Sequence, residues 1–119
     1  MKRDIELIRE ILVAMEATDT TQGLMRLQLP GRDSGVVSYH VKLLQQANLI
    51  EATDMSCSAE FEWVPRSLTW AGHEFLDAAR NETVWNKAMS TLKDKAATVP
   101  FEIVKAVVFK TCKDLIGLG

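Results

Sequence analysis

The chain has 119 residues, 47% of them hydrophobic and 25% charged, a composition typical of one soluble globular domain with a single core. Its formal net charge of −2 mildly disfavours a dedicated DNA-binding protein, because such proteins usually carry a basic surface. The sequence has no membrane-spanning apolar run, no apolar stretch typical of a signal peptide and only two cysteines. We therefore expect a cytoplasmic protein with reduced thiols and no membrane partner.

The first predicted elements are a helix and a strand. Apolar residues recur at helical spacing over residues 4–16, with Asp4 as the N-cap. A polar loop follows at residues 18–23. Leucines then alternate with polar residues in LMRLQLPG, residues 24–31, which predicts a short strand.

The second predicted helix lies in RDSGVVSYHVKLLQQAN, residues 32–48, with Asp33 and Ser34 as alternative N-caps. Gly35 costs about 1 kcal/mol in a helix interior, so a start near Val36 is a further alternative. Asn48 suits the left-handed conformation that ends a helix. A core-facing stripe follows at helical spacing: Val37, Val41, Leu44 and Ala47.

A β-hairpin and three more helices complete the prediction. LIEAT and FEWVPRSLTW flank the polar loop DMSCSAE, and Pro65 restricts the second strand to an edge. Thr69 caps the next helix, another runs from about Val84 to Lys95, and Pro100 suits the first turn of the last. The inward face predicted for the helix after Thr69 is Trp70, Phe75, Leu76 and Ala79.

This order predicts an α+β, mostly helical fold: a winged helix-turn-helix with three additional C-terminal helices. Many winged helices have two helices before the hairpin, and residues 30–36 are the place for a short turn of the missing one. We expect a winged helix domain at residues 1–80. A C-terminal helical extension at residues 81–119 would pack on the same core or form a dimer interface.

Patterns for catalysis, metal binding or phosphate binding are missing from the sequence. His40 and His73 lie far from Cys57 and Cys112 in the chain, no paired nucleophile has a recognisable spacing, and the glycines are scattered. Zinc requires about four such ligands at short spacings. We therefore expect no enzyme, no metal and no cofactor.

The second helix carries a polar face opposite its core stripe. Ser34, Ser38, Lys42 and Gln45 follow one another at helical spacing, and such side chains can contact phosphates and base edges. A solvated helix face has the same appearance, so this pattern leaves both interpretations open.

The segment SYHVKLLQQANLI, residues 38–50, resembles the S-x-H-L-x-x-L-x-x-A-G-L-V stretch of winged-helix repressors of the arsenical-resistance regulator type. The resemblance implies that Ser38, Tyr39, His40 and Lys42 lie on the groove-facing side. Together with nearby cations, the predicted DNA-binding residues are Arg32, Ser34, Ser38, Tyr39, His40, Lys42, Gln45 and Arg66.

The predicted hairpin departs from a DNA-binding wing because residues 51–68 hold four acids against Arg66, a net charge of −3. Its tip, SCSAEFE, contains Cys57 and Phe61, a composition that suits contact with protein better than contact with phosphates. Arg66 at the hairpin base is the one phosphate contact that the pattern offers there.

The last predicted helix has a wide apolar face, which indicates either burial in the protein's own core or an interface with a partner. Six lysines against three acids from residue 84 onward give this part of the chain a net charge of +3. The predicted interface residues are Phe101, Val104, Val107, Val108 and Leu115.

Across nearly its whole length, the chain resembles a bacterial family of unknown function that is common in phages, prophages and mobile elements. MKRDIELIREIL, YHVKLLQQANLIEA and above all LTWAGHEFLDAARNETVWNKA carry this resemblance. It implies a small winged-helix protein but no activity. In the last of these segments, Trp70, His73, Trp85 and Asn86 either line a site or, in the case of the tryptophans, lock the helices together.

Two functional hypotheses follow from the sequence. The first is a winged-helix transcriptional regulator of phage or mobile-element origin that binds double-stranded DNA as a homodimer. The alternative is an adaptor that uses the same fold to bind a host protein without binding DNA.

Overall fold

The structure is a computed structural model that describes residues 2–18, 23–25, 27–96 and 98–117. These residues form an α+β, mostly helical fold with five α-helices and one two-stranded antiparallel hairpin, as predicted at that level. None of the described helices is long and apolar enough to cross a membrane. In chain order the elements are α1 (Ile5–Ala17), α2 (Ser34–Gln46), β1 (Ile50–Asp54), β2 (Trp63–Leu68), α3 (Trp70–Ala79), α4 (Glu82–Leu92), a 3₁₀ turn (Lys93–Lys95) and α5 (Phe101–Leu115).

The prediction of a strand at residues 24–31 is wrong, because residues 24, 25 and 27–31 form no strand. Arg26 lies outside the described residues, as do residues 19–22 of the predicted polar loop. The Met25 N–H donates to the Pro65 carbonyl at 2.8 Å, but no ladder develops from this bond. Pro65 has no N–H to return, and the Trp63 N–H is already bound to Ser38. The outer edge of β2 therefore lacks the donors that a third strand requires.

Side chains and one left-handed residue set the ends of the first two helices. The carboxylates of Asp4 and Asp33 accept the N–H groups of Leu7 and Val36, each at 3.2 Å. Since α2 begins at Ser34, Gly35 lies in its first turn, and the alternative start near Val36 is excluded. Asn48 ends the segment with φ 63°, as predicted.

A bulge bends the base of the hairpin. Ala52 is opposite Pro65 and Glu51 is opposite Ser67, so Arg66 is the extra residue on β2. Its side chain is exposed. The bulge thus places the one cation of the hairpin at its base.

The chain divides into two compact units, Arg3–His73 and Glu74–Gly119, and the boundary falls within α3. The prediction set the boundary at residue 80. The core of the first unit contains Leu7, Ile8, Ile11, Leu12, Met15, Val41, Leu44, Leu49, Ile50 and Val64, all nearly inaccessible. The core of the second contains Phe75, Leu76, Ala79, Val84, Trp85, Ala88, Leu92, Val104 and Val108.

The start of α3 is attached by hydrogen bonds to the turn that follows α2. The Thr69 hydroxyl donates to the Asn48 carbonyl at 2.7 Å and accepts the Gly72 N–H at 3.0 Å, and the Thr69 N–H donates to the Leu49 carbonyl at 3.0 Å. A Cβ at Gly72 would lie 3.0 Å from the Leu49 carbonyl carbon and closer still to its oxygen. Only glycine fits this approach.

The prediction that Trp70 faces inward is wrong, because its side chain is 80% exposed. Trp70 lies two positions before Gly72, which corresponds to about 200° around a helix. Because Gly72 faces Leu49, Trp70 necessarily points to the opposite side of α3.

Candidate nucleic-acid interface

His40 is part of the core rather than of an exposed α2 surface. Its side chain is fully buried, Nε2 accepts the Asp4 N–H at 2.7 Å, and Nδ1 lies 2.8 Å from the Val36 carbonyl. This pairing requires the tautomer with its proton on Nδ1. The predicted DNA contact at His40 is therefore wrong: the ring fastens α2 to the N-cap of α1.

Ser38 and Gln45 face the hairpin, which corrects the predicted polar face of Ser34, Ser38, Lys42 and Gln45. Ser38 is 7% exposed and its oxygen accepts the Trp63 N–H at 3.2 Å. The Gln45 carbonyl oxygen accepts the Ala52 N–H at 2.7 Å. Both side chains hold the hairpin on α2, whereas Ser34 is exposed at the helix start.

Arg32 is held by two carboxylates of α1 and its N-cap. Its Nε and second terminal nitrogen contact Glu10 at 2.9 and 3.0 Å, and its other terminal nitrogen contacts Asp4 at 3.0 Å. Hydrogen bonds to Glu10 are the main reason that the pKa of Arg32 is raised. The positive charge of Arg32, one of the predicted DNA-binding residues, is therefore offset by these carboxylates, and the side chain anchors the segment before α2.

The accessible side of α2 is a stripe of the half-buried Gly35, Tyr39 and Lys42 and the exposed Gln46, which we call the α2 stripe. These residues follow one another at i, i+4, i+7 and i+11, and none is buried. Tyr39 and Lys42 were predicted from the sequence, whereas Gln46 was missed. The same helical spacing counted from Gly35 instead of Ser34 would have included Gln46.

The charges around the α2 stripe are mixed. Hydrogen bonds from the Ser56 hydroxyl and from the Ser56 backbone N–H, whose nitrogen lies 2.9 Å from the Asp54 carboxylate, lower the pKa of Asp54. The positive charge of Lys42 lowers this pKa further. Residues 30–68 hold three bases against five acids, a net charge of −2. Lys42 and the exposed Arg66 are therefore the cations of this region that no salt bridge occupies.

The hairpin tip is acidic and partly apolar. Met55 and Phe61 are 46% and 45% exposed, and Cys57 is also exposed. Reciprocal backbone hydrogen bonds between Cys57 and Glu60 close the tip. Such a surface repels phosphates and suits contact with protein.

The predicted interface on α5 is largely part of the second unit's core. Val104 and Val108 are fully buried and therefore unavailable to a partner in this fold, while the half-buried Phe101 lies with its ring 5.3 Å from that of Phe75. Val107 is half-buried and Leu115 is 42% exposed. What remains accessible on this helix is a narrow apolar strip that also includes Ile103.

The tryptophan-rich segment separates into core and surface. Trp85 is 1% exposed and belongs to the core, whereas Trp70, His73 and Asn86 are exposed. Over the described ranges, no three residues among His, Cys, Asp and Glu cluster closely enough to hold a metal ion.

The comparisons with known proteins identify the family. Residues 2–98 match the model of the hypothetical-protein family DUF2513, and the chain belongs to this family. A protein of Haemophilus influenzae strain Rd, named "Uncharacterized protein", is 46% identical over 108 residues, which cover 90% of this chain and 92% of the relative. No solved structure matches the chain.

Proposed function

We propose that this protein is a winged-helix protein that binds double-stranded DNA with α2 in the major groove, and that it regulates transcription in a phage or mobile element. The α2 stripe beside an antiparallel hairpin is the observation that supports this proposal. The major groove of B-DNA admits one α-helix, and side chains such as Gln46 and Lys42 can reach base edges or phosphates there.

The winged-helix part of the proposal is supported by the way the repressor-like segment is used. Val41 and Leu44 are buried, His40 links α2 to α1, and Asn48 provides the left-handed turn into β1. These positions belong to the repressor-like segment, in which Asn48 stands at the glycine of the repressor pattern, and here they hold α2 against α1 and lead it into the hairpin.

The charge distribution determines how such a complex would form. Lys42 and Arg66 supply two phosphate contacts, while the acidic tip has to point away from the duplex. Two contacts give a slope of log affinity against log salt of about −2 for one copy and about −4 for a homodimer on two half-sites. We therefore propose a dimer, because one copy has too few cations for tight binding.

Fluorescence anisotropy with a labelled duplex of mixed sequence at low salt tests the proposal. Lys42→Gln and Arg66→Gln should each weaken binding and reduce the salt slope. Lys110→Gln is the matched control, since Lys110 lies on α5 and pairs with Asp114 at 3.1 Å. The proposal fails if no salt-dependent binding occurs at tens of micromolar protein, or if all three variants weaken binding equally.

A second candidate function, an adaptor that binds a host protein, is favoured by the hairpin tip. Its acids and the exposed Met55 and Phe61 suit a partner with a basic, partly apolar surface. Pull-down from host lysate with nuclease, using wild type and Phe61→Ser, tests this candidate. A partner that survives nuclease and is lost with Phe61→Ser supports the adaptor; recovery of nucleic-acid-dependent partners alone contradicts it.

A further inference from the structure

The first unit contains a pocket of about 260 Å³ between the N-terminal half of α2, β2 and the segment that precedes α2. Its position differs from that of the α2 stripe, whose residues do not line it. Most of its wall is apolar, and the apolar side chains that form it are Met25, Leu27, Leu29, Val37, Val41, Trp63, Val64 and Pro65.

Ser38 brings an unused hydrogen-bond donor to this wall. The side chain is 93% buried, given its 7% exposure, and its oxygen is fixed by the Trp63 N–H at 3.2 Å. Among the described residues, none accepts the Ser38 hydroxyl proton. A hydroxyl can donate one hydrogen bond while it accepts another, so a molecule in the pocket can satisfy this donor.

The charges at the pocket argue against an anionic ligand. Arg32 lines the pocket, but its guanidinium is bound to Glu10 and Asp4, and Glu62 adds a carboxylate to the lining. Among the described residues, a ligand carboxylate would therefore meet more negative than positive charge. The Ser38 hydroxyl is instead suited to an uncharged acceptor such as a carbonyl oxygen.

The size of the pocket restricts the ligand to a small molecule. A cavity of about 150 Å³ accommodates benzene, and pockets for drug-sized ligands begin at about 300 Å³. A pocket of about 260 Å³ therefore suits one ring or a branched chain with a single polar group.

We propose that this pocket is a binding site for a small uncharged molecule with an apolar body and a carbonyl-type acceptor, which accepts a hydrogen bond from the Ser38 hydroxyl. The site does not depend on DNA binding, since its residues and those of the α2 stripe are different.

Three probes of nearly equal size test the site: benzamide, benzylammonium and benzoate, titrated into the ¹⁵N-labelled protein by NMR. The chain has three tryptophans, and of these only Trp63 lines the pocket. We expect millimolar benzamide to shift the Trp63 indole N–H signal while those of Trp70 and Trp85 stay in place. Benzoate should bind about tenfold more weakly or worse, and any binding of benzylammonium, which offers no acceptor to the Ser38 hydroxyl, should be unaffected by Ser38→Ala.

Two substitutions distinguish the pocket from a non-specific effect. Leu27→Trp should fill the pocket and abolish the benzamide shifts, whereas Val13→Trp on α1, which lies outside this pocket, should not. Ser38→Ala should weaken benzamide binding, and Ser38→Thr, which keeps the hydroxyl, should restore it. The proposal is overturned if benzamide leaves Trp63 unaffected, if all three indoles shift alike, or if benzoate binds as well as benzamide.

Discussion

Replacing Gly72 with alanine should destabilise the protein, although alanine is ordinarily the better helix former. A Cβ at this position would lie 3.0 Å from the Leu49 carbonyl carbon and closer to its oxygen. Both atoms belong to the backbone, so neither can move away by a change of rotamer. Leu49 is 1% exposed, and any shift would disturb its packing and the Thr69 N–H bond to its carbonyl.

The expected magnitude follows from three contributions. Overpacking a filled core costs about 1–3 kcal/mol, and weakening the Thr69 hydrogen bond costs about 1 kcal/mol. Helix propensity returns about 1 kcal/mol when alanine replaces glycine. The net loss of unfolding free energy is therefore about 1–3 kcal/mol.

Urea denaturation followed by circular dichroism measures this loss as a lower midpoint at unchanged slope. Gly35→Ala is the matched control, because its Cβ would meet only the Asp33 carboxylate at 3.3 Å in the first turn of α2. This control should leave stability unchanged or raise it by up to about 1 kcal/mol. A Gly72→Ala protein as stable as wild type would refute the close backbone approach.

Three further predictions concern other positions. His40→Phe should lower the unfolding free energy by about 2 kcal/mol in urea denaturation, because the Asp4 N–H loses its buried acceptor; an unchanged midpoint would contradict the role of the ring. Lys93→Gly should raise the melting temperature, with a gain of about 1 kcal/mol, because Lys93 has φ 55°, a conformation that favours glycine; a lower melting temperature would count against this strain. The pKa of Asp54 is lowered, mainly by the hydrogen bonds that its carboxylate accepts from Ser56, so the ionised carboxylate stabilises the fold. This stabilisation is present above the ordinary pKa of 3.8 and is lost as the pH falls through the lower pKa of the folded protein. Asp54→Asn should therefore flatten the acid limb of the stability curve and, under the proposed function, strengthen DNA binding by removing a negative charge near Lys42; an unaltered acid limb would refute the first effect.

Local patterns were sufficient to predict the helices and the hairpin. The caps at Asp4 and Asp33 and the turn at Asn48 involve residues three or four apart, which a sequence displays directly. The missing strand at residues 24–31 depended instead on the partner strand, where Pro65 withholds a donor. An alternating pattern shows that a segment can form a strand, but it does not show whether a neighbouring strand has free hydrogen-bonding groups to pair with it.

The errors at the candidate site have the same origin. Ser38 bonds to a backbone group 25 residues away, and Arg32 bonds to carboxylates 22 and 28 residues away. Helical spacing identifies which residues share a face, but it cannot show which of two polar faces the hairpin covers. For Ser38 and Gln45, that choice was made by tertiary contacts.

The repressor-like segment of α2 contains residues that stabilise the fold as well as residues that are accessible to a ligand, so its resemblance to repressors is weak evidence for DNA binding. Ser38 and His40 serve the fold, so they would be retained in a winged helix that binds no DNA. Among the described residues, Tyr39 and Gln46 make no tertiary hydrogen bond, and both lie on the α2 stripe, where they are accessible to a ligand. A Tyr39→Phe/Gln46→Ala protein, which keeps the ring that lies 5.7 Å from that of His40, should therefore melt like wild type and lose part of the proposed affinity for DNA, whereas Ser38→Ala should lower the melting temperature whatever is bound. Loss of DNA affinity only in proportion to lost stability would contradict this separation of roles.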